Sequence, residues 1–218
     1  MSDASIVLHT PVDAQELIVL FHGVGASAQS MVPLGQAVAH QALRSVIVSV
    51  QAPIPSSLGH GAEWFSVLGV TEANRAERIA QAMPLFIETL KYWQQVFGIG
   101  GAETTLIGFS QGAIMSLHAS LESSAETVAG RIISLAGRFA TEPEFVPKGV
   151  RFHLIHGERD TVIPVDYSIQ AARSLHRLGA HVSIDLVPGL GHGIDSRVAH
   201  IIQGRWAPST ECDLVDAG

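Results

Sequence analysis

Residues 104–112 read Thr-Thr-Leu-Ile-Gly-Phe-Ser-Gln-Gly, and the chain changes pattern within them. Thr104 to Phe109 is a short, β-branched, mostly apolar run of the kind that forms a strand buried on both faces. From Gln111 to Leu121 the apolar residues take up helical spacing. Ser110 stands at the junction, inside Gly108-Phe-Ser-Gln-Gly112. That pentapeptide matches G-x-S-x-G, the elbow in which a strained strand-to-helix turn lifts a serine hydroxyl above a sheet. Glycine and serine are common enough here for the pattern to arise by chance, so its position between a strand and a helix is what gives it weight. The flanking glycines allow backbone to approach a residue held in an unfavourable region of φ/ψ space.

The alternation extends outward on both sides. Strands are predicted at Ser5 to His9, Glu16 to Phe21, Ser45 to Val50, Arg131 to Leu135, Phe152 to Ile155 and His181 to Val187. Helices are predicted over Ser30 to Gln41, Val165 to Leu178 and Ile194 to Gly204. Short apolar runs alternating with helical segments are the sequence form of stacked βαβ units, so the fold class is α/β with a mostly parallel sheet. The first two strands are expected to form a hairpin across Pro11 to Gln15, a turn containing Pro and Asp. Ile79, Met83, Phe86, Ile87, Leu90, Trp93 and Phe97 recur at helical spacing ahead of Gly98, which predicts a long core-facing helix. Pro84 inside that pattern implies either a kink or a second helix beginning there.

The chain has 218 residues, of which 47% are hydrophobic and only 15% charged. Soluble proteins average roughly 25% charged residues, so there is ample material for one large core and global disorder is excluded. Residues 1–206 are read as a single domain. After Trp206 the composition turns polar without apolar period, and 207–218 is read as a loosely attached tail. Apolar runs such as Leu17 to Phe21 fall far short of the ~18–20 residues of a bilayer-spanning helix, which excludes an integral membrane protein. Net charge is −7 and the 13 Lys plus Arg are scattered, so nucleic acid is not expected as a partner. The first ten residues resemble neither a secretory signal nor a transit peptide, and a cytoplasmic location is expected. The single cysteine, Cys212, has no partner for an internal disulfide and no activating neighbour in sequence.

A serine hydroxyl is a weak nucleophile, so Ser110 requires a general base, and the base requires an orienting acid. On a strand–elbow–helix scaffold the expected order is Ser, acid, His. Four histidines follow at suitable distance. His176 sits within a helical pattern, His181 opens a strand and His200 lies in the last helix. Only His192, in Gly189-Leu-Gly-His-Gly193, occupies a loop after a strand. Asp160 lies in the loop just beyond the carboxyl end of the Phe152 strand, where catalytic groups collect, and Glu158 in the same loop is its rival. Asp166 is explained by the start of a helix, and Asp185 is expected to alternate outward against Val182, Ile184 and Leu186. Acyl transfer also requires N–H donors aimed at the developing oxyanion. Gln111 supplies one by following the nucleophile at a helix start, and Val24, in the loop Phe21-His-Gly-Val-Gly25, is the expected second. His22 precedes Ser110 and is read as structural. No metal-binding spacing and no phosphate-binding glycine pattern occurs, so neither a metal nor another cofactor is implied.

Taken in order, Phe21-His-Gly-Val-Gly25, Glu63-Trp-Phe65, Gly108-Phe-Ser-Gln-Gly112, His156-Gly-Glu-Arg-Asp-Thr-Val-Ile-Pro164 and Gly189-Leu-Gly-His192 resemble the phospholipase/carboxylesterase family of α/β hydrolases. The resemblance covers the chain to about Trp206. It implies an α/β-hydrolase fold with Ser110, Asp160 and His192 as catalytic triad and Val24 and Gln111 as oxyanion donors. Trp64 and Phe65 would belong to the loop flanking an acyl groove. Two positions depart from the usual family pattern: Ala113 where a second glycine is common, and Ser66 where an Asp often follows the aromatic pair. The second sits near the substrate entrance and bears on substrate preference. The function implied is a serine carboxylesterase acting on short-to-medium acyl esters or thioesters. Lysophospholipase or acyl-protein thioesterase activity, or a non-catalytic binding role on the same scaffold, are the alternatives. Only 16 residues separate Leu135 from Phe152, so no separate lid domain is expected.

Overall fold

The computed structural model describes residues 4–122 and 127–206, and the proposed tail at 207–218, with Cys212, lies outside them. Its centre is β2 (Glu16–Phe21), flanked in parallel by β3 (Ser45–Val50) and β6 (Thr104–Phe109), with Val19 opposite both Val48 and Leu106. The sheet continues through β7 (Arg131–Leu135), β8 (Arg151–Gly157) and β9 (His181–Val187), all parallel. β1 (Ile6–His9) closes the opposite edge, and the full order is β1-β3-β2-β6-β7-β8-β9. A small antiparallel pair, β4 (Ile54–Pro55) and β5 (Ala62–Glu63), stands apart from it.

Successive residues of a strand point to opposite faces, so a continuously apolar strand must be covered on both. Leu17, Val19 and Phe21 belong to the layer formed with α2 (Glu72–Phe97), α3 (Gln111–Ala119) and α4 (Asp166–Arg177). Ile18 and Leu20 face α1 (Val32–Ala39) and α5 (Ser196–Gln203). All five are fully buried, and each such side chain contributes roughly 1.5–3 kcal/mol relative to exposure. β2 is therefore the most constrained element of the sheet, and the loop leaving its carboxyl end is held accordingly.

The expected hairpin between the first two strands does not form. β1 pairs antiparallel with β3, which lies between it and β2 where a hairpin would have placed β1 itself. Both edges of β2 are taken by parallel partners, whereas β1, with Val7 45% exposed, suits an edge. Crossing one intervening strand requires about 10 Å, well within reach of six linking residues. α2 runs unbroken through Pro84, so no second helix begins there; a reciprocal cap of Thr71 and Asn74 starts it, and Gly98 at φ 65° ends it. On edge strand β9 the expected facing is also reversed. Ile184 and Leu186 are exposed, and Asp185 pairs with Arg205. Among the described residues no helix is long and apolar enough to cross a membrane.

Candidate active site

Three parallel strands deliver the site at their carboxyl ends. β6 ends at Phe109 and α3 begins at Gln111, so Ser110 alone makes the turn, at φ 53° and ψ −114°. A side chain rarely enters that region, and the surroundings hold it there. The Ser110 N–H donates to the Leu135 carbonyl at 2.9 Å, and its own carbonyl accepts from the Ile114 N–H at 3.0 Å. A Cβ on Gly112 would drive into the Phe21 carbonyl, and one on Gly108 into the backbone of Gly112. Glycine at both positions is required by the close approach of α3 to β2 and β6.

The loop after β9 carries His192 over this turn. Its Nε2 lies 2.9 Å from Ser110 Oγ, and its Nδ1 lies 2.7 Å from Asp160 Oδ2. Phe109 supports the imidazole, with ring centroids 5.0 Å apart. Asp160, in the loop after β8, is buried, and its other oxygen, Oδ1, accepts from the N–H groups of Val162 and Ile163 at 2.8 and 2.9 Å. Burial works to raise this carboxyl, but the hydrogen bonds from His192, Ile163 and Val162 outweigh it and hold it below the ordinary carboxylate value. Glu158, the rival acid, is exposed.

Sequence reasoning assigned no role to His156, which lies near the end of β8, four residues before Asp160. Its Nε2 lies 3.2 Å from Asp160 Oδ2 and 2.8 Å from the Ile163 carbonyl, and its Nδ1 lies 2.7 Å from Ser168 Oγ. Burial lowers its pKa, so the neutral ring donates from Nε2 to both acceptors while Nδ1 accepts from the serine hydroxyl. The carboxylate thus accepts from two imidazoles and two amides. Only a buried polar residue at the end of an apolar strand hinted at this.

The early loop packs against the elbow. His22 is buried, with Nδ1 2.7 Å from the Gly23 carbonyl and Nε2 accepting from the Ala52 N–H at 3.1 Å, and burial lowers its pKa. Two structural contacts therefore account for both of its nitrogens. Val24, Ser110 and Gln111 border one groove. As the first residue of α3, Gln111 has an N–H with no carbonyl four residues back inside the helix, and the Val24 N–H has no backbone partner among the described residues. The Gln111 side chain does something sequence reasoning missed: it accepts from the Trp64 N–H at 2.8 Å and donates to the Phe65 carbonyl at 2.7 Å. This clamp separates the two aromatics. Trp64 is core, edge-on to Phe21 and Phe86 with centroids 5.9 and 4.7 Å apart, and does not line the groove, whereas Phe65 does.

The groove has a volume of about 310 Å³, with Ile114, Val162, Ile163 and Pro164 on its apolar wall. Glu72, Arg75, Arg138 and Tyr167 make up a polar wall drawn from three separate elements, none of which the sequence had singled out. The hydrogen bond from Arg138 chiefly holds the Glu72 carboxyl below its ordinary value. A larger cavity of about 530 Å³ shares Arg138 and Tyr167 with the groove but is not lined by Ser110 or His192. Among the described residues no cluster of histidine, cysteine or carboxylate side chains could hold a metal ion.

A buried strand, a strained serine turn and a histidine loop meeting at the carboxyl ends of one parallel sheet define an α/β hydrolase, and comparison with known proteins agrees. The family model described as phospholipase/carboxylesterase matches residues 3–204. The Escherichia coli K12 protein named esterase YpfH is 44% identical over 184 residues, covering 84% of this chain and 78% of its own. The crystal structure of esterase PE8 superposes with a TM-score of 0.82 at 29% identity, over 90% of this chain and 94% of that one. A carboxylesterase from Mesorhizobium loti shares the fold, with a TM-score of 0.74 at 20% identity over 94% and 99% of the two chains. The chain belongs to the phospholipase/carboxylesterase family and is a carboxylic ester hydrolase.

Proposed function

We propose that the chain is a serine esterase of short-to-medium acyl esters or thioesters, working through Ser110, His192 and Asp160. The observation that carries this reading is the unbroken relay from Ser110 Oγ to His192 Nε2 at 2.9 Å and from His192 Nδ1 to Asp160 Oδ2 at 2.7 Å. Nε2 takes the hydroxyl proton as Oγ attacks the carbonyl carbon, and Asp160 keeps the other proton on Nδ1 and stabilises the imidazolium. The carbonyl oxygen, now anionic, is received by the N–H groups of Val24 and Gln111. His192 returns the proton to the departing alcohol or thiol. Water, deprotonated by the same imidazole, then releases the acyl group from Ser110. The Gln111 side chain, by clamping Trp64 and Phe65, holds the groove wall in register with the donor beside it.

A fluorophosphonate probe should label Ser110, and Ser110→Ala should remain folded while losing turnover of a small aryl ester by orders of magnitude. A variant retaining most of the wild-type turnover would refute the assignment. The same experiment separates an enzyme from a binding protein on this scaffold, because only the enzyme reacts with the probe.

A further inference from the structure

The groove carries a charged wall that cleavage of a simple ester does not use. Glu72 accepts from Arg138 Nη1 and Nη2 at 2.9 and 2.6 Å, and from Arg75 Nη2 at 3.1 Å. Two guanidiniums against one carboxylate leave a positive charge beside the nucleophile, in a chain whose net charge is −7. Arg138 is nearly saturated. Its Nε donates to the Phe139 carbonyl at 3.1 Å and its plane lies over the Tyr167 ring at 3.6 Å. Arg75 is not saturated, although its side chain is only 19% exposed. Its Nε is buried without a hydrogen-bond partner, and its Nη1 has none among the described residues.

Neutralising Glu72 does not require Arg75, because the two-pronged contact from Arg138 already does so. Among the described residues only one of the five guanidinium N–H donors of Arg75 is engaged, Nη1 is not among the buried atoms and stays open to a ligand, and the donors of a guanidinium match a carboxylate. We propose that Arg75, held in place by Glu72 and Arg138, is a carboxylate subsite, and that the preferred substrates are esters or thioesters bearing a carboxylate a few bonds from the scissile carbonyl. This rests on the serine-esterase reading above. The carboxylate can belong to the acyl half, as in the monoester of a dicarboxylic acid, or to the alcohol half, as in the ester of a hydroxy acid.

Two matched pairs of substrates distinguish these sources in a pH-stat assay at low salt: monoethyl adipate against ethyl hexanoate, and 3-acetoxypropanoate against butyl acetate. In the wild type, kcat/KM for the charged member of at least one pair should exceed that of its neutral partner about ten-fold, and added NaCl should erode the ratio. Arg75→Gln should bring the ratio close to one, and Arg75→Lys should retain part of it, because a point charge keeps the attraction without the fork. Both wild-type ratios at or below one would overturn the proposal. So would a ratio unmoved in an Arg75→Gln protein that melts like the wild type. If the wild type cleaves none of the four substrates and does not react with the fluorophosphonate, it is the serine-esterase reading that fails.

Discussion

Ser110 at φ 53° and ψ −114° occupies a backbone region that costs a residue with a Cβ roughly 1–3 kcal/mol. Ser110→Ala and Ser110→Gly both remove the hydroxyl and its hydrogen bond to His192, so the two variants differ only in Cβ. Glycine relieves the strain and gives back about 0.5–1 kcal/mol through the greater freedom of its unfolded backbone. It also surrenders a buried Cβ, since Ser110 is only 7% exposed. That loss is at most about 0.8 kcal/mol. At mid-range values relief wins by about 1 kcal/mol, and Ser110→Gly should melt roughly 2–4 °C above Ser110→Ala. Urea unfolding at matched m-values, with thermal melts followed by circular dichroism, measures the difference, and both proteins should be inactive. An alanine variant as stable as the glycine variant, or more so, would show that the strain at the elbow does not exceed what glycine loses in backbone freedom and packing, and would refute the expected difference.

Three other outcomes are expected. Asp160→Asn should lower kcat/KM on the order of a thousand-fold by releasing the imidazole tautomer, whereas exposed Glu158→Gln should leave it near wild type; steady-state kinetics with an aryl ester checks the pair. Stability should fall with pH through the buried histidines. Burial, assisted by the Arg138 charge, lowers His118 to about 4, and burial together with the Arg205, Arg131 and Arg151 charges does the same for His153. Between about pH 6.5 and 4 the unfolded chain binds protons that the fold refuses, so stability is full above 6.5 and drains as pH drops toward 4. Urea midpoints at pH 7 and 5 should separate in the wild type and separate less in His118→Gln, whose side-chain oxygen can still accept the Ala140 N–H that His118 Nε2 accepts at 2.9 Å. Finally, residues 136–150 between β7 and β8 contain no helix that could serve as a lid. Activity across a p-nitrophenyl ester series should therefore rise over the first few acyl carbons and show no jump as each ester passes its solubility limit.

Much of the fold was readable because a parallel sheet covered on both faces writes itself as apolar runs. The bounds of β2, β3, β6, β7 and β9 coincide with those runs. What the runs do not encode is lateral order. Pro11 and Asp13 announce a reversal, but nothing in them says that β3 will be inserted between β1 and β2, because that choice depends on which strands can tolerate an edge. β9 misled for a related reason. Alternation alone cannot tell which face of an edge strand is covered, and here the pairing of Asp185 with Arg205 reverses the apparent assignment.

The three residues proposed as nucleophile, base and acid were legible for a local reason, whereas the groove was not. Each of the three occupies a loop at the carboxyl end of a strand, and each is marked by its neighbours: glycines around Ser110 and His192, and a strand terminus before Asp160. Their meeting follows from sheet order, since β6, β7, β8 and β9 lie side by side. The polar wall has no such local mark. Glu72 and Arg75 open a helix, where charged residues are ordinary; Arg138 follows β7, and Tyr167 sits in the first turn of α4. Each is unremarkable alone, and their significance arises only when three elements distant in sequence place two guanidiniums and one carboxylate around the same cavity. Reaction class and the proposed substrate preference are therefore written differently here. The first lies in short motifs that the sheet must present together, and the second in long-range pairings that require the folded chain.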